Sequence, residues 1–575
     1  GSPVRERQRI TTGSNGQERD PVLVEFSAHA ASSLRKHRMI SPRSKLAAFL
    51  LCAILAACTS GQDGSDDTTR TGGGTKPCAS SSELVSLTRR GYFPGRSPDI
   101  LVIPREPNFI GAPANPPHTG PWRFLVNVPL VLYGPGFVQA GGRISTPAEM
   151  VDLAPTAASL IGFDAWPQRD GRVLTESLSE TTEKPRLIVT IVWDGAGWNA
   201  LQSHSERWPF LSSLMNKGTT YTNFSIGSSP SVTPPVHATL GTGVYPNRHG
   251  ITGVSQRTSG TKLVDPWASF DPRLLRVATL ADLYDRALSN QPLAGMVARV
   301  NWHLGMIGHG ASHPGGDRDE VLLLDHSGEA VGNDVDYESP PITEPDLLER
   351  FSNDLDAEDG KIDALWRGRS LDDPAVRGNS PAFTRYQGLM LRRMIDRVGF
   401  GSDEIPDLLY VNMKETDLSY HAWGMASPEV GDAMAAQDEE LRLLTRQLDE
   451  RVGAGRWVVM LTADHGLMPD PERSGGYPIK GQEVLDDINA RFDDVDNDAD
   501  LAYHLTAYGA YIDEDELALN GVTHAAIGKW LAGYTLGENA TDSGLSGRWE
   551  ARKSERLFAA VTAGTERVDP CEREQ

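Results

Sequence analysis

Three apolar runs in this chain end on an acid or a histidine. Leu187 to Trp193 runs into Asp194, Leu408 to Met413 leads to Asp417 and His421, and Val458 to Thr462 leads to Asp464 and His465. Runs without polar alternation read as strands buried on both faces, the habit of a parallel sheet covered by helices. The stretches between them are amphipathic. The body therefore reads as an α/β domain with a mainly parallel central sheet and helices on both faces. In open α/β sheets ligands bind beyond the carboxyl ends of the strands. Three such ends would converge their Asp and His side chains in one crevice.

Those residue types suit a divalent metal, and no cysteine stands near them. Asp417 and His421 are four apart, so both face one side if the segment is a helical turn. Asp464 and His465 are adjacent. They must diverge unless two metals flank them, or an irregular loop brings both to one ion. The chain is acidic, with 55 Lys+Arg against 77 Asp+Glu and a net charge of −22. That argues against duplex nucleic-acid binding, which would show a basic face. It leaves room for a small anionic substrate, because a bound metal overrides the global field locally.

The stretch 231–250 reads SVTPPVHATLGTGVYPNRHG. It carries Thr233, Pro235, His237, Thr242-Gly243, Tyr245-Pro246 and His249-Gly250-Ile251. Together with Trp193-Asp194-Gly195, with Asp417, His421 and Ser427-Pro428-Glu429, and with Asp464-His465-Gly466, these residues resemble the alkaline phosphatase superfamily. The resemblance is to its type I phosphodiesterase/nucleotide pyrophosphatase group, and four motifs stand in family order across 194–466. That family needs one more His ahead of a strand like VPLIFYGPG. Downstream, His504 and His524 lack such neighbours and would serve only in an unpermuted fold. Residues 118–136, HTGPWRFLVNVPLVLYGPG, have them. The resemblance thus implies a circular permutation, with the family's C-terminal block at 84–180 ahead of its N-terminal block at 186–567 and His118 as the missing ligand. Permutation is cheap when parental termini meet at the surface.

The resemblance also implies roles. Two divalent metals are expected, zinc first, with manganese or iron as alternatives. One would be held by Asp194, Thr233, Asp464 and His465, the other by Asp417, His421 and His118. Thr233 would be the nucleophile of a covalent phosphothreonine route, activated by its metal. A helix starting near Val236 would offer it backbone N–H groups and a favourable dipole. His237 and His249 read as supporting residues, and His303, His309 and His313 as a solvated loop. Candidate substrate contacts are Arg299, Asn301 and Trp423, with Trp423 equally suited to packing. Val254 and the single cation Arg299 depart from the pattern that grips a phosphate dianion, so a phosphodiester or nucleotide pyrophosphate is expected before a phosphomonoester. A sulfatase would want Cys or Ser at 233. A non-catalytic binding lipoprotein would leave seven ligand positions idle.

The front of the chain reads as address. Arg43 and Lys45 precede the twelve-residue apolar run Leu46–Ala57, which ends Leu55-Ala56-Ala57-Cys58. That is a signal-peptide length and looks like a lipoprotein box, with Cys58 as lipid anchor. Expected boundaries are 1–58 extension and signal, 59–80 flexible linker, and 81–575 a single hydrolase domain. Export makes the compartment oxidising. Membrane contact is expected only through the lipid anchor. Of four cysteines, Cys78 and Cys571 remain near the permuted ends, and a disulfide between them is expected.

Overall fold

In the computed structural model the chain is described over residues 81–568, apart from 542, 543, 546 and 565. The expected signal peptide, linker, Cys58 anchor and Cys78–Cys571 bridge lie outside the described residues. The strands that matter are β1 (Ile100–Pro104), β2 (Asn127–Tyr133), β3 (Leu187–Trp193), β4 (Thr219–Ser225), β5 (Ala294–Ala298), β6 (Asp319–Leu324), β7 (Asp407–Met413), β8 (Trp457–Thr462), β9 (Ala502–Thr506), β10 (Gly509–Ile512) and β11 (Phe558–Ala563). The helices that matter are α1 (Ser81–Gly91), α2 (Thr233–Thr242), α3 (Pro381–Met394), α4 (Glu415–Trp423) and α5 (Pro428–Leu448).

The larger sheet has eleven strands, with β6-β5-β7-β3-β8-β2-β4 through its middle. β3, β7 and β8 are buried along their whole length, as their unbroken apolar sequences require. From β6 to β8 every named neighbour is parallel. β2 then runs antiparallel between β8 and β4, so the sheet is mixed but mostly parallel.

Register explains the convergence. Leu187 lies opposite both Asp407 and Trp457, so β3, β7 and β8 start level and end level. Met413 is beside Trp193 and Thr462 beside Val192. Because β2 is reversed, its beginning lies at that same edge, Leu130 opposite Thr462. The loop before β2, which carries His118, is thereby delivered to the crevice. β4 ends there too, Ser225 opposite Asn127, and leads into α2.

A second, antiparallel sheet runs β9-β10-β1-β11 with a last strand at Glu566–Val568. Its own core includes Ile100, Ile479, Ile512, Leu531 and Phe558. Here the front of the described chain meets its end. Ile100 pairs with Ala563, and Val85 of α1, Ile103 and Ala560 form one buried cluster. Among the described residues no helix is long and apolar enough to cross a membrane.

Candidate metal centre

Among the groups of potential ligand atoms at the carboxyl edge of the large sheet, two consist of the expected ligands and a third joins Asp194 to His237 and His303. Those of His118, Asp417 and His421 lie within 4.8 Å of one another, as do those of Asp194, Asp464 and His465. α4 is the helical turn that puts Asp417 and His421 on one side. Asp417 Oδ1 is 3.4 Å from His421 Nε2 and 3.4 Å from His118 Nε2. His465 Nε2 is 3.3 Å from Asp464 Oδ2 and 3.4 Å from Asp194 Oδ1. The adjacent Asp464 and His465 do not diverge. They follow β8 on irregular backbone and reach one point. The two groups touch, since the His118 and His465 rings stack with centroids 3.6 Å apart.

The tautomers follow from the outer partners. His118 Nδ1 donates to Ser231 O at 3.1 Å, His421 Nδ1 to Asn115 Oδ1 at 2.6 Å, and His465 Nδ1 to Gly466 O at 3.1 Å. Each partner oxygen accepts only, so each Nδ1 carries the hydrogen and each Nε2 keeps a lone pair. These lone pairs face carboxylates. Asp417 Oδ1, Asp464 Oδ2 and His465 Nε2 are buried without a hydrogen-bond donor or acceptor of their own. Buried polar atoms of one sign facing each other are costly. A divalent cation within each group satisfies them, so the residues present fit the metals that the sequence implies.

The electrostatics agree. Burial lowers His465, but Asp464 and Asp194 outweigh it and push it up to about 9; this point demands positive charge. Burial also raises Asp464, and Asp194 raises it further. At Asp417 burial acts upward too, yet Lys414 and His421 prevail and hold the carboxyl well below its usual range. His118 is driven far down by burial and by His465, which suits a neutral ligand.

Thr233 is buried at the first position of α2, three residues earlier than the expected start. Pro234 and Pro235 follow it, favoured at a helix start because they have no N–H to leave unsatisfied. The same prolines leave the first turn of α2 two backbone amides short. What reaches the hydroxyl instead is Lys414, which sequence reading passed over. Its Nζ lies 3.4 Å from Thr233 Oγ1, 2.9 Å from Asp194 Oδ1 and 2.8 Å from Asp417 Oδ2. Burial disfavours this ammonium, but Asp194, Asp417 and Asp464 outweigh that and hold its pKa above the ordinary lysine range. A Lys-Glu pair directly after a fully buried strand was the missed signal.

Supporting contacts are equally specific. His237 Nδ1 donates to Thr233 O at 2.8 Å, and Asn412 Nδ2 donates to Asp194 Oδ2 at 3.0 Å while lying 3.2 Å from His237 Nε2. His249 pairs with Thr239 Oγ1 at 3.0 Å. Gly195, at φ +73°, donates its N–H to Asp464 Oδ1 at 3.1 Å; a Cβ there would meet Asp417 at 3.2 Å.

Other expected residues find different partners. Arg299 is buried, donates to Gly378 O, and lies 3.6 Å from Glu415 and 3.9 Å above the Phe383 ring of α3. Asn301 Nδ2 donates to Trp267 O at 2.9 Å. Trp423 takes the packing role, edge-on to Trp366 with Arg369 over its ring. His303 is not solvated: it is buried with its ring 4.7 Å from that of His237. His504 and His524 belong to the second sheet and its flank, beside Tyr511 and Glu514.

Comparison with known proteins gives the family of the chain. The sequence profile described as type I phosphodiesterase / nucleotide pyrophosphatase matches residues 188–528. An alkaline phosphatase PhoD of Zymomonas mobilis is 26% identical over 343 residues, covering 54% of this chain and 58% of that protein. An alkaline phosphatase PafA of Elizabethkingia meningoseptica is 24% identical, covering 49% and 60%. The chain thus spans less than two thirds of these relatives. A crystal structure of wild-type alkaline phosphatase PafA superposes with a TM-score of 0.49 at 17% identity, over 66% of this chain and 85% of that one. On the profile match, which spans more than half of its length, this chain belongs to the type I phosphodiesterase/nucleotide pyrophosphatase family.

Proposed function

We propose that the protein is a metal-dependent hydrolase of phosphodiester or nucleotide pyrophosphate bonds that works through a phosphothreonine on Thr233. One observation carries this reading. Two Asp/His groups lie in contact at one sheet edge, and Lys414 links one carboxylate of each to the Thr233 hydroxyl. His118, Asp417 and His421 would hold one divalent ion, and Asp194, Asp464, His465 and Thr233 the other, with zinc the first candidate. Bound there, the ions supply positive charge to the oxygens of an in-line displacement. Thr233, held at a helix start, presents its Oγ to phosphorus. His237 fixes the backbone of Thr233, and Asn412 orients Asp194. Arg299 is occupied at Gly378 and Glu415, which favours a substrate with one charge fewer than a monoester dianion. The phosphomonoesterase reading is supported by the names of the PhoD and PafA relatives.

The test compares bis- and mono-p-nitrophenyl phosphate with and without EDTA in wild type and Thr233→Ala. Diester turnover that EDTA and the substitution both abolish is expected. Wild-type turnover in Thr233→Ala sinks the nucleophile, and monoester turnover far above diester turnover reverses the substrate.

The same reading extends to chain order and address. A circular permutation is supported by the start of the profile match at 188, after the block 84–180, and by the pairing of β1 with β11. It carries the Cys78–Cys571 disulfide with it, which a non-reduced peptide digest tests; absence of the linked peptide removes the bridge. Export with a lipid at Cys58 rests on residues 43–58, and mass analysis of the mature amino terminus tests it.

A further inference from the structure

Lys414 does more than balance charge. It stands where β7 passes into α4, with 4% of its surface exposed. An ammonium has three hydrogens. Two go to Asp194 Oδ1 and Asp417 Oδ2, carboxylates of different ligand groups, and the third points to Thr233 Oγ1 at 3.4 Å. Neutralising the aspartates needs only the first two contacts. Among the described residues Lys414 is the side-chain donor on that hydroxyl, and prolines at 234 and 235 leave the start of α2 short of backbone donors. The nearby cation Arg299 is committed to Gly378, Glu415 and Phe383.

We infer that Lys414 is a catalytic residue whose N–H remains on Thr233 Oγ through both halves of the reaction and carries the charge of that oxygen. The inference rests on the phosphothreonine route proposed above. In the first half Oγ, its proton lost to solvent, bonds to phosphorus. The bond from phosphorus to the leaving oxygen breaks, and its electron pair departs with that oxygen. In the second half a water oxygen bonds to phosphorus and gives a proton to solvent. The Oγ–phosphorus bond breaks, its pair returns to Oγ, and Oγ regains a proton. Lys414 keeps its three hydrogens throughout.

The two halves do not depend on it equally. Before attack the hydrogen bond already stabilises the ground-state oxygen, so part of its benefit cancels. On breakdown the charge on Oγ develops only as the bond breaks, so the whole benefit falls in the transition state. Loss of the ammonium therefore slows breakdown more than formation, and phosphothreonine accumulates.

The experiment uses zinc-loaded Lys414→Met with an activated p-nitrophenyl ester. It reads metal per chain, kcat, and the phosphorylated fraction of acid-quenched protein by intact mass and peptide mapping. Metal content equal to wild type, kcat lower by about 10²-fold and phosphate accumulating on Thr233 are expected. Wild-type kcat overturns the inference. Metal loss without a phosphoenzyme also overturns it, because Lys414 is then only a counter-ion to the ligands. Lys414→Gln replaces Lys414→Met if the latter does not fold, and failure of both to fold makes the ion pair structural and ends the proposal. Active Thr233→Ala sinks the underlying route; inactive Thr233→Ala beside wild-type-like Lys414→Met sinks this inference alone.

Discussion

Strand β7 starts on Asp407 and leads, four residues past its end, to Asp417, and these two buried carboxyl groups behave in opposite ways. Burial pushes both up. At the carboxyl edge Lys414 and His421 outweigh burial and hold Asp417 far down, as an anion. At the amino edge Asp407 has the N–H groups of Gly401 and Leu293 at 2.7 Å but, among the described residues, no cation that offsets burial, and it rises to about 7. A buried carboxylate stays charged only where positive groups are built around it. The edge that assembles Lys414 and the histidines around three aspartates is thus set up for cation chemistry. The other edge uses its acid to tie loops to the sheet.

The sharpest way to break that contrast is to remove the proposed nucleophile. Thr233→Ala is expected to lower kcat/KM on the diester by about 10⁴-fold, while circular dichroism and metal content stay near wild type. Next comes His118→Ala, which takes one proposed ligand from the group that mixes chain segments. Several kcal/mol of charge stabilisation would go with its metal, about 10²- to 10³-fold in rate. Metal analysis should fall by one equivalent per chain. An unchanged metal content would remove His118 from the ligand set.

Much of this edge could be read from sequence, for a physical reason. A strand buried on both faces is an unbroken apolar run, and the polar residue that ends it must be stabilised by something, so Asp194, Asp417, Asp464 and His465 stand out. His118 is harder, because its neighbours mark it but its distance along the chain hides it. Lys414 was harder still: a lysine near aspartates usually faces water, and only its place directly after a fully buried strand marked it. Pro235 was read as a motif letter, yet the missing amides of Pro234 and Pro235 change which group reaches the Thr233 hydroxyl. Arg299 shows what sequence position leaves out. Its position in the sequence suggested substrate, and the carbonyl of Gly378 with the ring of Phe383 claims it. The antiparallel β2 was also beyond local pattern, since direction is set by pairing and not by composition.

A smaller effect is expected at Asn115, which receives the Nδ1 hydrogen of half-exposed His421. Asn115→Ala leaves all ligands in place but frees that ring to turn. Competition with a metallochromic chelator should reveal a 10- to 100-fold weaker second metal, with the first metal unaffected. Equal weakening of both metals would mean that the two groups act as one, and the division between them would fall.

The smallest change tests the opposite edge. Asp407 in the folded protein has its pKa near 7, against about 3.9 in an unfolded chain. The folded state therefore binds more protons, and stability is lost as pH rises from about 4 to about 7. The slope should approach 1 kcal/mol per pH unit, less than the ~1.4 kcal/mol limit for one proton, because the site is not fully sealed. Asp407→Asn cannot titrate, so its denaturant midpoint should fall less over that window than that of wild type, whatever offset the changed hydrogen bonding to Gly401 adds. Diester turnover should be unchanged, since the substitution lies at the far end of β7 from Thr233. If the two proteins keep parallel stability profiles from pH 4 to 7, Asp407 is charged like Asp417. The two edges would then differ in their partners but not in the state of their acids.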